Sequence, residues 1–193
     1  MAERGLFIAG HCIHVLVLVA PTVLASGFSG LAGRFGMFAI GIGLAALLES
    51  VSTFATRDSQ WVDARAKQAA TLVGVLLFVL LWSAQIEQLL HLDARPRLLH
   101  TVGGVLMGLG ITLRILAIRA LKGQFISDIR CDGALTQTGV YRWLRHPSEI
   151  GLCLIAVGSP LLLGSLITAA SASLLIIPIS LWRMRREDQV LYS

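Results

Sequence analysis

The chain has 193 residues, of which 55% are apolar, with a net charge of +5 and a mean hydropathy of +0.77. This composition excludes an ordinary soluble domain, and the length excludes more than one domain of usual size. It indicates a polytopic membrane protein whose positive charge sets orientation and attracts anionic lipid headgroups, so no nucleic-acid partner is invoked.

Four mainly apolar runs fill the first two thirds of the chain, and each is long enough to cross a bilayer as a helix. About 20 residues at about 1.5 Å each cover a hydrocarbon core of about 30 Å. The predicted spans are 6–25, 35–55, 70–90 and 98–121. The first could be mistaken for a signal peptide, but it contains two histidines and has only Arg4 before it. We expect it to be retained.

Several polar residues inside these runs are costly in hydrocarbon unless they are paired or face water. His11 and His14 share a helix face, and polar packing is favoured over a metal site because nothing else has metal-ligand spacing. Glu87 is expected to reach the interface. Arg114 could extend to the surface or pair with Glu49. The glycines expected to allow close helix packing are Gly36, Gly41, Gly43, Gly103, Gly104, Gly108 and Gly110.

The fifth apolar stretch, 148–182, has 35 residues and is too long for one crossing. As a single helix it would run about 50 Å, so we predict that it folds back on itself. The available helix breakers are Gly158, Pro160, Gly164 and Ser165, and we place the turn near Gly164. The predicted fold is an all-α integral membrane protein with six crossings: four transmembrane helices, a cytosolic loop and a C-terminal transmembrane hairpin.

Basic residues follow this arrangement. If the spans alternate as predicted, only Arg34, Arg95 and Arg97 lie on the outer side. The inner side then holds Arg4, Arg57, Arg65, Lys67, Arg119, Lys122, Arg130, Arg142, Arg145, Arg183, Arg185 and Arg186. An excess of Lys and Arg marks the cytosolic face, so both termini are predicted to be cytosolic in a multi-pass protein.

A polar cluster precedes the hairpin in the segment 139–151, Gly-Val-Tyr-Arg-Trp-Leu-Arg-His-Pro-Ser-Glu-Ile-Gly. It follows a connector with loop composition. Pro147 suits the first turn of a helix, so His146 is predicted to stand at a helix N-terminus, which favours an anion. Arg145 adds a bidentate binder of carboxylate or phosphate.

A second cluster, Arg183-Met-Arg-Arg-Glu187-Asp188, ends the hairpin, and a fold-back would bring it to the first. Arg183 and Glu187 share one helix face. We therefore predict one cytosolic site for a charged cofactor with an anionic group and a cationic or hydroxylated part. The alternative is that the arginines only contact lipid phosphates. We favour that alternative for Arg185 and Arg186, and the site for Arg145, His146 and Glu187.

These two motifs, in this order and with an apolar hairpin between them, resemble the isoprenylcysteine carboxyl methyltransferase family and its phospholipid methyltransferase relatives. The resemblance covers about residues 125–191. It implies an integral membrane enzyme that uses S-adenosylmethionine to methylate a lipophilic acceptor, such as an isoprenylcysteine carboxylate, a prenylated peptide, a lipid or a thiol. The chain is then one polytopic domain, 1–193, with a four-helix part, 1–121, and a cofactor-binding loop and hairpin, 122–193.

The resemblance also implies roles for individual residues. Those expected to contact the cofactor are Gly133, Ala134, Leu135, Thr136, Tyr141, His146, Pro147 and Glu187. Arg183 would face the methyl acceptor, and Arg145 would share structural and binding work. No metal ligand is implied.

Two departures from the family pattern stand out. Glu149 occupies the position where the family usually has tyrosine, so it could pair with Arg142 or Arg145, or alter the acceptor. Relatives continue past the second motif with a short amphipathic tail, whereas the printed sequence ends at Ser193. We expect either that the tail is dispensable or that the site is less completely closed.

Two other functions stay open on the sequence. A membrane reductase of the sterol or steroid type shares the His-Pro turn and could place NADPH phosphates on Arg142 and Arg145, although no Gly-x-Gly-x-x-Gly turn follows a strand. A non-catalytic lipid-binding membrane protein could keep the same scaffold. The acceptor and the oligomeric state are not determined by the sequence.

Overall fold

The computed structural model describes residues 2–27, 32–55, 64–90, 97–121 and 139–191. Within these ranges the chain forms six α-helices and one short 3₁₀ helix, with no β-strand. The α-helices are α1 (Ala2–Ser26), α2 (Arg34–Ala55), α3 (Ala64–Leu89), α4 (Arg97–Leu121), α5 (Pro147–Leu163) and α6 (Leu166–Leu191), and the 3₁₀ helix is Gly139–Arg142. The prediction of an all-α fold is confirmed for this part of the chain.

Three helices in the described ranges are long and apolar enough to cross a membrane. Their spanning segments are Gln68–Leu89, Arg97–Ala120 and Leu166–Gln189. In the other three helices, the apolar segments with described side chains are Ile13–Ala25, Arg34–Leu48 and Pro147–Leu163. Large apolar side chains such as Leu24, Leu98 and Leu174 are exposed, as expected of helices surrounded by lipid. The protein is therefore membrane-associated, while six crossings and their orientation stay predictions.

The α5–α6 hairpin turns at Gly164, where the sequence predicted it. Gly164 has a φ of 89°, a left-handed conformation that suits glycine, and its amide donates to Leu161 O at 2.9 Å. The Ser165 amide donates to Pro160 O at 2.8 Å. Gly158 and Pro160, the breakers at which no turn was placed, both lie buried inside α5.

Helices α4 and α5 touch through their backbones along a glycine seam formed by Gly103, Gly110, Gly151 and Gly158. A Cβ on Gly110 would lie 2.6 Å from Gly151 O, and one on Gly158 would lie 2.6 Å from Met107 N. The predicted packing role holds for Gly103 and Gly110. It is wrong for Gly108, whose Cβ would meet no atom within 4 Å among the described residues. The seam holds α5 against α4 along most of the length of α5, from Gly151 to Leu162.

Polar groups surround the turn of the hairpin, a region called the turn end below. His100 Nδ1 donates to Leu162 O at 3.0 Å, and Arg34 donates to His100 Nε2 at 2.7 Å. With its amide nitrogen facing a carbonyl, Gln88 donates to Leu163 O and accepts from Arg34 at 2.9 Å. The Ser165 hydroxyl donates to Ala84 O at 2.7 Å. The bonds to Leu162 O and Leu163 O satisfy carbonyls that α5 leaves unpaired where it ends.

Glu87 also belongs to the turn end. Its carboxylate accepts from the Thr168 hydroxyl at 2.8 Å and from the Thr168 amide at 3.2 Å, so it caps the N-terminus of α6. The expectation that Glu87 reaches the interface is wrong, since the residue is 7% exposed. The unpaired amides at the start of α6 attract the carboxylate more strongly than the surface does.

Candidate functional site

The opposite end of the hairpin, called the open end below, brings the two polar clusters of the sequence together. His146 Nδ1 lies 3.1 Å from Glu187 Oε2, and His146 Nε2 lies 3.1 Å from Asp188 Oδ1. Both partners are carboxylates, which accept, so a ring that donates from both nitrogens is the imidazolium form. The His146 side chain is 12% exposed, whereas Glu187 and Asp188 are 37% and 36% exposed. The carboxylates are thus fixed by His146 and still open to a ligand.

The backbone explains why His146 points across the hairpin. Pro147 is the first residue of α5, and His146 is the N-cap, with no side-chain hydrogen bond to the helix within the described site. The first amide groups of an α-helix have no partner inside the helix. The amides at the start of α5 present partial positive charge close to the carboxylates of α6. Together the two groups suit a ligand that has both an anionic and a cationic part.

The charge state of His146 follows from these contacts. The hydrogen bond to Glu187 raises the pKa of His146, with further support from the charges of Glu187 and Asp188 and from the hydrogen bond to Asp188, against the opposing effect of burial. The carboxylates therefore favour the cationic form of the ring.

Tyr141, in the 3₁₀ helix, lies beside this cluster. Burial, reinforced by the charge of Glu187 and opposed by that of Arg114, raises the pKa of Tyr141 to about 12. The phenol therefore stays neutral over the physiological range and can donate a hydrogen bond.

Arg114 of α4 contacts the start of α5. Its guanidinium donates to Ser148 O at 3.2 Å, and the residue is 4% exposed. The alternative in which Arg114 extends to the surface is wrong, because the close approach of α4 and α5 at Gly151 covers its stem. The side chain of Glu49, the other partner considered, lies outside the described residues.

A second ion pair follows one helical turn deeper in the hairpin. Arg183 donates to Glu149 Oε1 at 2.8 Å, and the two side chains are 13% and 15% exposed. The sequence offered Arg142 or Arg145 as partners of Glu149, and the structure gives it Arg183. Glu149 Oε2 is buried and has no hydrogen-bond partner among the described residues.

A third contact lies one turn deeper again, where the Cys153 thiol approaches Ser180. A thiol is only a weak hydrogen-bond donor. The Ser180 hydroxyl is 0% exposed, and its oxygen has no hydrogen-bond partner of good geometry in the described chain. The pairs His146–Glu187, Glu149–Arg183 and Cys153–Ser180 form a polar ladder between α5 and α6, because steps of three and four residues keep each stripe on one helix face.

The other residues singled out by the sequence are placed as follows. Gly133, Ala134, Leu135 and Thr136 lie outside the described residues. Pro147 is fully buried and Arg145 is exposed. Arg183 stands at the site in an ion pair. The structure thus brings His146, Glu187, Tyr141 and Arg183 to one end of the hairpin.

The sequence assigned no individual role to Asp188 or Arg114 in the site, and it offered the wrong partners for Glu149. Asp188 follows Glu187 directly, and the two can both reach a histidine that stands beyond the start of α5. A signal for Glu149 was present, since His146, Glu149 and Cys153 share one face of a helix as Glu187, Arg183 and Ser180 do. Matching these two stripes across the turn would have found the ladder.

The model of the phospholipid methyltransferase family matches residues 98–192, from the start of α4 through the hairpin. Through this region the chain matches the phospholipid methyltransferase family, and the resemblance to that family predicted from the sequence is confirmed there. Searches of the curated proteins and of the solved structures found no match. The match covers every residue of the polar ladder and the glycine seam, and it indicates a membrane methyltransferase.

Proposed function

We propose that the protein transfers the methyl group of S-adenosylmethionine to a lipophilic, membrane-embedded acceptor, and that the donor binds at the open end of the hairpin. The observation that supports this most directly is the contact of His146 with both Glu187 and Asp188. It joins the two motifs of the family across the hairpin, inside the region that matches the family.

The chemistry of the residues fits this donor. Its carboxylate suits the unpaired amides at the start of α5 and the exposed Arg145. Its amine and ribose hydroxyls suit the accessible oxygens of Glu187 and Asp188. In the proposal, Gly133, Ala134, Leu135 and Thr136 contribute the loop side of the site.

The protein contributes binding, alignment and exclusion of water. When bound, S-adenosylmethionine supplies an activated methyl group, so little covalent help is required from the chain. Glu187, held by His146, would bind the donor, and neutral Tyr141 beside it could donate a hydrogen bond. The apolar side of the hairpin would align a lipophilic acceptor.

The proposal includes the membrane orientation expected from the sequence, with six crossings and the open end at the cytosolic surface. Helix α6 has 26 residues and α5 has 17, so α6 extends beyond the start of α5 at the open end. Trp143, 81% exposed beside Arg142, suits the interface between lipid and water. An apolar α5 of 17 residues is at the lower limit of about 17 for a crossing.

Calorimetric titration of the purified protein in lipid nanodiscs tests this proposal. We expect S-adenosylmethionine to bind and NADPH not to bind. Glu187→Gln should weaken donor binding at least about tenfold, because hydrogen bonds to a charged group contribute about 1.5–3 kcal/mol. Arg185→Gln, an exposed site on the same helix, should leave it unchanged.

Binding of NADPH alone would replace the methyltransferase by the reductase alternative. If neither compound binds, the non-catalytic lipid-binding alternative is the better description.

A further inference from the structure

Two buried polar atoms on facing helices stand out at the second and third pairs of the polar ladder. Glu149 Oε2 and Ser180 Oγ each have no hydrogen-bond partner among the described residues. Leaving a buried polar group unsatisfied costs about 1–3 kcal/mol, and more for a charged one. Unpartnered atoms of this kind, about one helical turn apart in the same polar ladder, indicate a place where a ligand supplies the missing partner.

The position of these atoms separates them from the proposed donor site. Glu149 follows His146 by three residues, about 4.5 Å along the helix axis, and Ser180 lies a further turn toward the hairpin turn. A lipophilic acceptor that enters from the apolar side therefore meets Glu149 and Ser180 before it meets His146 and Glu187.

The charges at this level distinguish between classes of acceptor. Arg183, implied by the family resemblance to face the acceptor, is engaged by Glu149 at 2.8 Å. An acceptor carboxylate would therefore meet a cation whose charge is already balanced, together with a second carboxylate that repels it. An amine or a thiol brings a proton, which an unpartnered carboxylate oxygen can accept.

We propose that Glu149 is a catalytic residue of this enzyme and that its Oε2 accepts the proton of a protic acceptor, an amine or a thiol, which the Ser180 hydroxyl orients. The inference rests on the proposed function. In the step, the lone pair of the acceptor nitrogen or sulfur forms a bond to the methyl carbon. The carbon–sulfur bond of the donor breaks with its electron pair left on sulfur, and the acceptor proton passes to Glu149 Oε2. Arg183 holds the carboxylate in place through Oε1.

The test compares three probes with the same alkyl chain, dodecylamine, dodecanethiol and dodecanoate, in nanodiscs with S-adenosylmethionine labelled in its methyl group. We expect label on the amine, the thiol or both, and none on dodecanoate. Glu149→Gln, which keeps an oxygen for Arg183, should lower the transfer rate about 100-fold or more, the usual contribution of a general base. Glu149→Asp should retain more activity than Glu149→Gln.

Two further measurements separate catalysis from folding. Donor affinity in Glu149→Gln, from calorimetry, should stay within about twofold of the parent value, because the first pair of the ladder is intact. Titration of dodecylamine without donor should show weaker binding to Ser180→Ala. The matched control is Ser173→Ala, two turns away on α6, whose hydroxyl bonds to its own helix at Ala169 O.

Methylation of dodecanoate alone, or of none of the three probes while the donor binds, overturns this inference and leaves the donor site standing. Unchanged transfer by Glu149→Gln overturns it as well. Failure of the parent protein to bind S-adenosylmethionine overturns the proposed function and this inference with it.

Discussion

The two ends of the α5–α6 hairpin each hold a histidine at the centre of a polar network, and the two networks are built in opposite ways. At the turn end, His100 donates to a carbonyl and accepts from Arg34. At the open end, His146 faces two carboxylates. With these partners, His100 serves as a neutral link between Arg34 and a backbone carbonyl, whereas His146 serves as a cation.

The ends also differ in what they leave unsatisfied. The turn end pairs the carbonyls of Leu162, Leu163 and Ala84. The open end exposes two carboxylates, and the ladder below it contains the two buried atoms without partners, Glu149 Oε2 and Ser180 Oγ. We infer that the turn end stabilises the fold, whereas the open end is prepared for a ligand.

The largest effect is expected from breaking the glycine seam that joins the two ends. Gly110→Ala puts a Cβ 2.6 Å from Gly151 O, where neither backbone can yield, so we expect a loss of about 3 kcal/mol, the upper part of the range for overpacking. Thermal unfolding in detergent measures it. Donor affinity of Gly110→Ala should fall together with its stability, because the added Cβ displaces the start of α5.

Gly108→Ala is the matched control, since it lies on the same helix and its Cβ would meet no described atom within 4 Å. Equal unfolding temperatures for the two variants would show that α4 and α5 do not pack as described.

A smaller effect separates the two histidines. His100→Ala removes the acceptor of Arg34 and the donor to Leu162 O, so we expect a loss of about 2 kcal/mol of stability. Donor binding per folded molecule should be unchanged in this variant.

His146→Ala should instead weaken donor binding about tenfold. Its stability should change by less than about 1 kcal/mol, since the carboxylates that lose their partner can be hydrated. The opposite pattern in either variant would contradict the division between the ends.

The smallest effect is a dependence of stability on pH at the open end. The pKa of His146 is raised on folding, so its contribution is fully present below the unfolded value of about 6.5 and is lost as pH rises through the folded value. Tyr141, with its pKa near 12, does not titrate in this window. The free energy of unfolding of the parent minus that of His146→Gln should shrink from pH 6 to pH 9, by less than about 1 kcal/mol. A difference that stays constant or grows would show that Glu187 and Asp188 do not stabilise the imidazolium.

Apolar length and helix breakers were enough to predict much of the fold. Helix α4 was predicted at 98–121 and is observed at Arg97–Leu121, and the hairpin turns at Gly164 as expected. These features depend on local sequence, because run length sets the helix and a left-handed glycine ends it. The meeting of the two polar clusters followed from the hairpin alone.

The fate of single polar side chains was not predictable in the same way. Glu87 caps α6 at Thr168, 81 residues away, and Arg114 bonds to Ser148, 34 residues away. Glu149 had arginines near it in sequence, yet the rotation of α5 against α6 gave it Arg183. Such pairings depend on how helices are rotated about their axes, which hydropathy does not specify.

The glycine seam also restricts how a lipid substrate can travel. Where two backbones touch, no side chains stand between them that could swing aside to open a lateral gate for an acyl chain. The crevice between α4 and α5 is therefore closed to traffic from the bilayer. A long-chain acceptor must approach the hairpin along another flank. The residues of α3 and α6 on that flank are therefore the place to seek the determinants of chain length.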